Sequence, residues 1–439
     1  MVPTAAPPRA SLEGEVEQAA TDVDADARTA AALVALLAFT IPLAWSTFAW
    51  STPGGAGDWN RSIVVAPFDV VLLVVAGWAL LRPHLLGDLF RRRAVAVAVG
   101  LYAAWFVVTF AAHASWLGVN LAVRLGLGLA VIAVVGAACR TTTSRRLALG
   151  ALAASGVLQA ALGMVQSARG EALGIQPLDY LGPLYPFGAS HAGRGGLTHP
   201  YHLAVFLVLC QGAALLGLRA ATAERRAGRA APSWPWLAAL AVIGAGIAIT
   251  YSRAALVGQI VLVVCLLLAR ADRRTTALAV GAIALGLLVG AVGFGDGWVA
   301  KGDITTGSSK VASADGSRSK RLKEAKSLID TTPVLGVGPG RYVDALAETD
   351  LVEYLPAHDL IAQDTAEMGY LGGLLALALL ALLALRALRG GAWTAALVGA
   401  MVPFLLLDAY PYVFATGLAI SALWLGLARS SLDAPEPTP

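Results

Sequence analysis

The sequence predicts an all-α polytopic membrane protein, and three observations lead to that fold class. Hydrophobic residues make up 57% of the 439-residue chain and charged residues 14%, with a mean hydropathy of +0.70, whereas soluble domains carry about 25% charged residues. Apolar runs of about 20 residues, the length that crosses a bilayer, recur along the chain. The loops between these runs alternate in charge. The net charge of +4 is explained by arginine-rich loops and does not require a nucleic-acid partner.

About twelve apolar segments are long enough to be transmembrane helices, and a long polar loop separates the ninth from the tenth. In chain order they cover residues 29–49, 62–81, 94–113, 117–138, 147–167, 197–217, 234–250, 254–269, 275–293, 361–385, 391–408 and 411–428.

The charges of the short loops predict how the spans are oriented. Cytoplasmic loops are enriched in Lys and Arg, and long loops escape this rule. With a cytoplasmic N-terminus, every cytoplasmic connection is arginine-rich and the short outer connections carry almost no positive charge. This alternation predicts an even number of spans with both termini inside. The cytoplasmic arginines are Arg82, Arg91, Arg92, Arg93, Arg140, Arg145, Arg146, Arg219, Arg225, Arg226, Arg229, Arg270, Arg273, Arg274, Arg386 and Arg389.

The composition divides the chain into five parts. Residues 1–28 are rich in Asp, Glu, Ala and Pro, which predicts a disordered cytoplasmic tail. Residues 29–293 hold spans one to nine, and residues 294–357 form a large extracytoplasmic loop. Residues 358–429 hold spans ten to twelve, and residues 430–439 form a second cytoplasmic tail.

The large loop is predicted to contain two short helices. Residues 317–330 place Leu322, Ala325 and Leu328 on one stripe, with Lys and Arg on the other face. A turn rich in Pro and Gly follows, and a second short helix is predicted over 341–348. The apolar stripe is expected to face protein or lipid.

Several polar residues lie within or beside the predicted spans, where a charge is costly and usually functional, among them Gln363, Asp364 and Glu367 of the tenth span. Arg194, Arg253, His358 and Asp408 all face the outer side in the predicted topology, and Arg124 lies inside the fourth span. Arginines that converge near a histidine suit a phosphate-bearing lipid, because a guanidinium binds phosphate oxygens in pairs and stays charged. The sequence therefore predicts a substrate site at the outer face.

The three arginines and the histidine each have a purely structural interpretation as well. For Arg124 it is an ion pair with Glu367 or Asp364, and for Arg253 it is a cap on a helix hairpin. For the remaining arginine and the histidine it is an ordinary solvated position at the membrane interface.

Neither a metal nor another cofactor is predicted. His199 and His202 lie three residues apart at a helix start, but no carboxylate accompanies them. The three cysteines lack a CxxC spacing and are predicted to be small buried hydrophobes. The glycine-rich turn at 336–340 has two interpretations, a backbone nest for an anion or a plain turn before a helix.

Three stretches, in this order and together with the large outer loop, carry a more specific pattern. The first is Arg194-Gly-Gly-Leu-Thr-His-Pro before a span, and the second is Thr250-Tyr-Ser-Arg253-Ala-Ala. The third runs from Arg318 through Pro333-Val-Leu-Gly-Val-Gly-Pro-Gly340 to Ala357-His358-Asp359 and Glu367-Met-Gly369. Over about residues 180–385 the chain resembles the bacterial O-antigen ligase and O-antigen polymerase family of polytopic glycosyltransferases.

The resemblance implies an enzyme at the outer face of the bacterial cytoplasmic membrane. Such an enzyme takes a glycan from an undecaprenyl-pyrophosphate carrier and passes it to an acceptor hydroxyl on an envelope lipid or glycan. The implied reaction needs no metal and inverts the anomeric centre. Carried over by position, Arg194 and Arg253 bind the pyrophosphate, Arg318 helps to bind the donor or its glycan, and His358 activates the acceptor. Arg124 is a further candidate for substrate binding.

Two other functions stay open at this point. A polysaccharide polymerase would pass the glycan to another lipid-linked repeat, and the sequence does not separate it from a ligase. A transporter or flippase for lipid-linked sugars would also have about twelve spans. Transporters often show paired halves with broken helices, and no such repeat is visible in this chain.

Overall fold

A computed structural model describes residues 9–43, 46–51, 61–176, 184–187, 189–268, 273–306, 312–349, 356–357, 359–407 and 414–433. The chain is mostly helical, at 79%, which agrees with the sequence. Within a bilayer every backbone N–H and C=O needs a partner in the protein, and a helix supplies these partners within one segment.

Ten helices precede the long loop in the described part of the chain. They are α1 (Arg9–Thr40), α2 (Pro67–Leu80), α3 (Pro83–Leu89), α4 (Arg93–Ala112), α5 (Trp116–Ala138), α6 (Thr142–Arg169), α7 (Pro200–Arg226), α8 (Trp234–Ala248), α9 (Arg253–Leu268) and α10 (Arg273–Gly293).

Six further helices follow, and the first three lie in the segment that the sequence predicts to be the large loop. The six are α11 (Gly295–Thr306), α12 (Ala312–Thr331), α13 (Tyr342–Ala347), α14 (Leu360–Arg389), α15 (Ala392–Leu407) and α16 (Ala415–Asp433).

Two short antiparallel hairpins correct the prediction of an all-α fold. Strand β1 (Thr47–Ser51) pairs with β2 (Ser62–Val65), and β3 (Tyr185–Phe187) pairs with β4 (Ser190–Ala192). All four strands lie in connections between helices, where aromatic and β-branched residues favour extended backbone. A prediction based on long apolar runs does not detect such short strands.

The described helices confirm a multi-pass membrane protein. Each of the twelve predicted segments overlaps a helix, although the first extends past α1 into β1 and the second begins in β2. Six helices are long and apolar enough to cross a membrane, and the pair α2 and α3, bent by 94°, is a possible seventh span. Helices α8, α9 and α15 are apolar but shorter. The number of twelve spans stays a prediction.

The N-terminal segment differs from the expected disordered tail. Helix α1 already begins at Arg9. Ala, Glu and Gln, which recur in this segment, are strong helix formers. Near the end of this stretch Asp26 accepts a hydrogen bond from the guanidinium of Arg82 at 2.6 Å, which connects α1 to the bend between α2 and α3.

Helix α7 lies at the centre of the bundle. In its most apolar 18-residue window, 83% of the residues are buried, against 11% for α4 and 22% for α14. Around it, glycines let neighbouring backbones approach closely. A Cβ at Gly290 of α10 would lie 2.6 Å from the carbonyl oxygen of Ala245 in α8, so only glycine fits there. Small residues at such contacts are typical of membrane helix packing.

The buried face of α12 differs from the predicted stripe at one position. Ala325 and Leu328 are buried as predicted, but Leu322 is 49% exposed. Arg321 takes the buried place, with 1% of its area exposed. Its guanidinium binds the carboxylate of Glu324 at 2.9 Å. The positions of apolar residues in a sequence do not predict where an ion pair is buried.

Candidate functional site

One end of the bundle gathers the segments predicted to be functional, and we call it the loop end. The N–H of Gly193 donates to the carbonyl of Ile249 at 3.1 Å, which joins the α6–α7 and α8–α9 connections. At the start of α7 the hydroxyl of Tyr201 donates to the carbonyl of Phe404, near the end of α15, at 3.2 Å. Helices α14 and α15 form a hairpin, so the start of α14 lies at this end as well.

Arg194 lies in a tight turn whose backbone is held by two glutamines of α6. Gln166 accepts from the N–H groups of Arg194 (3.1 Å) and Gly195 (2.9 Å) through Oε1, and donates to the Gly195 carbonyl (2.8 Å) through Nε2. Gln159 Oε1 accepts from the N–H of Gly196 at 2.7 Å. Only 1% of the Arg194 side chain area is exposed. This burial excludes the interpretation of Arg194 as a solvated loop charge.

The glycines around Arg194 allow the turn to sit against its neighbours. Gly195 has a φ of +58°, in the left-handed region that glycine adopts without strain. A Cβ at Gly193 would collide with the side chain of Ile249 and with the carbonyl of Gly163. The sequence Gly193-Arg-Gly-Gly is therefore what permits a buried arginine at this position.

The adjacent turn between α8 and α9 is built on Tyr251. This residue has a φ of +51° although it is not glycine, and its side chain is fully buried. Its hydroxyl donates to the carbonyl of Phe294 at 3.0 Å. Its ring packs against Phe187 of β3 and Trp298 of α11, with centroids 5.3 and 5.4 Å apart. Burial raises the pKa of the Tyr251 phenol, so the residue anchors the turn in neutral form.

Arg253 is the first residue of α9 and is exposed, in contrast to Arg194. The cap of the helix is Ser252, whose hydroxyl accepts from the N–H of Ala255 at 3.3 Å. Ser252 therefore has the capping role that was considered for Arg253. Within the described residues its guanidinium has no ion pair, and it is available to a ligand at the loop end.

Arg124 has a structural role, with a partner other than the two expected ones. Its guanidinium binds Asp69 Oδ1 at 2.7 Å and the carbonyl of Val64 at 2.7 Å, and its Nε donates to Asn120 at 3.2 Å. Only 9% of the residue is exposed. A charge so deep in a span needs a partner, and Asp69 in the first turn of α2 supplies it. We therefore leave Arg124 out of the proposed substrate site.

Three predicted residues lie outside what the structure describes. His358 and Asp408 fall between described segments, and Arg318 belongs to α12 by its backbone while its side chain is not described. The residue before the histidine, Ala357, is buried, and its N–H donates to Gln363 Oε1 at 3.0 Å. The roles of these three residues stay predictions.

Helix α14 is broken near its beginning. Gly369 has φ +70° and ψ −179°, which no helical residue adopts. The N–H of Tyr370 donates to the carbonyl of Pro333 at 2.9 Å instead of continuing the helix. The 20 residues from 370 to 389 are enough to cross a bilayer, so residues 360–369 form a separate segment at the loop end.

The turn at 336–340 fills this break. Its Val337 N–H donates to the carbonyl of Ala366, and its Gly338 N–H to that of Glu367, both at 2.9 Å. The indole N–H of Trp105, from α4, donates to the carbonyl of Met368 at 2.8 Å. Broken helices are tolerated at membrane depth only where protein satisfies the freed backbone groups, and these contacts do so.

The same contacts decide between the two interpretations of the glycine-rich turn. Gly336 N–H donates to Thr332, Arg341 N–H donates to Gly338, and Gly340 N–H donates to the carboxylate of Glu367 at 2.7 Å. Together with the bonds into the broken helix, every N–H of the turn has an acceptor inside the protein. The turn is a structural connection, and the anion that it holds is the chain's own carboxylate.

The described residues contain no group of three or more His, Cys, Asp and Glu side chains that could hold a metal ion. His199 caps α7, where its Nδ1 accepts from the N–H of Tyr201 at 3.0 Å. His202 Nδ1 lies 3.0 Å from the hydroxyl of Thr198. Both rings are thus used within the fold, and independence from metal stays a prediction.

Sequence analysis missed the two glutamines that hold the Arg194 turn from within a span. The signal was present, because glutamine is costly inside a membrane helix and Gln159 and Gln166 lie two helical turns apart on one face of α6. A search for uncharged polar residues in apolar runs would have found both.

The fold and the site define a polytopic helical membrane protein with a buried arginine turn and a broken helix at one end. The family model of the O-antigen ligases matches residues 238–377, about a third of the chain. The matched stretch contains Arg253, Arg318 and His358, and it confirms the resemblance to the O-antigen ligase family. The match supports a membrane enzyme of the O-antigen ligase or polymerase type. No curated protein matches the chain.

Proposed function

We propose that the protein transfers a glycan from an undecaprenyl-pyrophosphate carrier to an acceptor hydroxyl on an envelope lipid or glycan, in the manner of an O-antigen ligase. The observation that carries the proposal is the contact between two arginine-bearing turns. The turn of the buried Arg194 is bonded through Gly193 to Ile249, four residues before Arg253. The family match includes the second of these turns.

Two arginines at one membrane end suit a pyrophosphate leaving group. Negative charge builds up on the pyrophosphate as the glycosidic bond breaks, and fixed positive groups stabilise that charge most strongly when they are already oriented. The glutamines that bind the backbone of the Arg194 turn supply this orientation. Arg253 is exposed and completes the binding of the phosphate oxygens, and Arg318 contacts the donor or its glycan.

His358 acts as the general base in this proposal. It takes the proton of the acceptor hydroxyl while the acceptor oxygen forms a bond to the anomeric carbon. The bond from that carbon to the pyrophosphate oxygen breaks on the opposite side, and the pyrophosphate leaves with the electron pair, which inverts the anomeric centre. Histidine suits this role because its ordinary pKa lies near neutrality.

The loop end faces the outer side of a bacterial cytoplasmic membrane in this proposal. At the opposite end of the bundle lie arginines with structural partners. Arg140 binds Asp88 at 2.7 Å, and Arg429 donates to the carbonyl of the same aspartate at 2.6 Å. An arginine-rich end is typical of the cytoplasmic side. A pyrophosphate bound at the loop end leaves its polyprenyl tail in the bilayer.

Transfer is expected to proceed without a divalent metal. The arginines supply the positive charge that a metal provides in other glycosyltransferases, so purified protein should keep its activity in excess EDTA. The measurement is the rate of glycan transfer from a lipid-linked donor, with and without the chelator. Loss of activity in EDTA, followed by recovery with Mg²⁺ or Mn²⁺, would show that the charge on the leaving group is stabilised in another way.

Gln166→Leu is expected to weaken donor binding, although Gln166 does not itself contact the donor in this proposal. The substitution removes the partners of three backbone groups around Arg194, and each buried group left unsatisfied costs about 1–3 kcal/mol. We expect a lower affinity for lipid-linked donor and a lower unfolding temperature. The matched control is Ser155→Ala, because Ser155 is a buried polar residue of the same helix that donates to Ala38. Wild-type affinity in folded Gln166→Leu protein would contradict the role of the turn.

A further inference from the structure

A buried carboxylate at the loop end joins segments that are distant in sequence. Glu367 Oε2 accepts from the N–H of Gly340 at 2.7 Å, and its Oε1 accepts from Gln363 Nε2 at 2.7 Å. Gln363 Oε1 accepts in turn from the N–H of Ala357 at 3.0 Å. The two side chains are 2% and 1% exposed. We call this chain of three hydrogen bonds the Glu367 clasp.

The clasp holds the chain at both ends of residues 341–356, the segment that contains α13. Gly340 directly precedes this segment, and Ala357 directly follows it and stands next to His358. Glu367 is also held through its backbone, because its carbonyl accepts from the N–H of Gly338 in the break of α14. Ala357, the residue directly before the predicted base His358, is therefore held in place by the buried side chains of Gln363 and Glu367.

We propose that Glu367 and Gln363 are positioning residues for the transfer reaction, which act by holding the chain on either side of the loop segment that leads to His358. The proposal rests on the proposed function of His358 as base. Glu367 does not serve as the base itself, because both of its carboxylate oxygens already accept hydrogen bonds within the protein and the residue is buried.

The donors and acceptors of the clasp make a sharp test possible. A carboxylate offers two acceptors, whereas an amide offers one acceptor and one donor group. Glu367→Gln therefore breaks at least one of the three bonds, because an amide nitrogen then faces another donor: Gly340 N–H, the nitrogen of Gln363 or, if the Gln363 amide turns over, Ala357 N–H. Gln363→Glu places two buried carboxylates against each other. The double variant Gln363→Glu/Glu367→Gln restores all three bonds with the direction of the middle one reversed.

Two readouts are needed, one of which is independent of activity. Hydrogen exchange of the backbone, measured in nanodiscs on the peptides that contain Gly340 and Ala357, reports the clasp directly. Each single variant should raise exchange in both peptides by about 10-fold to 100-fold. Transfer should fall by about 100-fold, the cost of a small misplacement of catalytic groups, while donor affinity stays as in the wild type. The double variant should restore both exchange and transfer.

The control variant is Glu348→Gln, which removes an exposed carboxylate from the same region and should change neither readout. Unchanged exchange in the single variants, or failure of the double variant to restore it, would overturn the clasp. Restored exchange without restored transfer would mean that the carboxylate at position 367 acts chemically, and would overturn the positioning role. A wild type that shows the clasp in exchange but transfers no glycan would instead refute the proposed function and leave the clasp standing.

Discussion

His358→Ala is expected to lower the rate of glycan transfer by about 10²-fold to 10⁴-fold, the usual contribution of a general base. Donor affinity should stay nearly unchanged. In the proposed function Arg194 and Arg253 bind the pyrophosphate, and a neutral imidazole adds little to ground-state binding. The measurement is the transfer rate at saturating donor together with the dissociation constant of the donor, each in reconstituted protein.

The matched control for this variant is His191→Ala. His191 is also a histidine of the loop end, but it lies in β4, where it contributes its backbone carbonyl to Ser167 of α6. Its side chain has no role in the proposed chemistry, so transfer should persist. Near-normal turnover in folded His358→Ala protein would end the proposal of a histidine base. A loss of donor affinity equal to that of the arginine variants would make His358 a pyrophosphate ligand.

Arg194→Lys is expected to lose donor binding almost as completely as Arg194→Ala. Removing one partner of a desolvated charge contact costs about 2–5 kcal/mol, which corresponds to about 30-fold to 4,000-fold in affinity at 1.4 kcal/mol per tenfold. Lysine lacks the planar fork of the guanidinium and cannot bind two phosphate oxygens side by side. The turn itself is closely packed, because an added Cβ at Gly193 or Gly195 would collide with Ile249 or Gln159.

Two comparisons separate this effect from a general loss of structure. Arg341→Lys is the control, because Arg341 is another arginine of the loop end and pairs with Glu348 at 3.3 Å; it should keep donor affinity. The unfolding temperature of each variant shows whether the bundle is intact. If Arg194→Lys binds donor as tightly as the wild type, the turn is a structural feature and the pyrophosphate binds elsewhere.

The sequence was sufficient for the features that depend on local composition. Apolar runs predicted the long apolar helices, because a segment in lipid must satisfy its own backbone groups and must be long enough to cross the bilayer. Loop topology alone predicted that Arg194 and Arg253 lie on the same side of the membrane. The bond from Gly193 to Ile249 shows in addition that the two turns are in contact.

The features that depend on contacts between distant segments could not be predicted. Arg124 pairs with Asp69, 55 residues away, and no local pattern favours that partner over another carboxylate. The break at Gly369 is stable because the turn of residues 336–340 fills it, so neither segment predicts the other. Leu322 was assigned to a buried stripe because it is apolar, whereas the burial of Arg321 depends on Glu324 and α13.

The central claim is that the protein breaks a glycosidic bond to pyrophosphate and makes a new one, which separates it from a transporter of lipid-linked sugars. The direct measurement uses purified protein in liposomes and a donor labelled both in its glycan and in its polyprenyl pyrophosphate. The proposed function predicts glycan-bearing acceptor and free polyprenyl pyrophosphate in equal amounts, at a rate that His358→Ala lowers. Movement of the intact donor across the bilayer, with its glycosidic bond unbroken and no glycan on the acceptor, would contradict it.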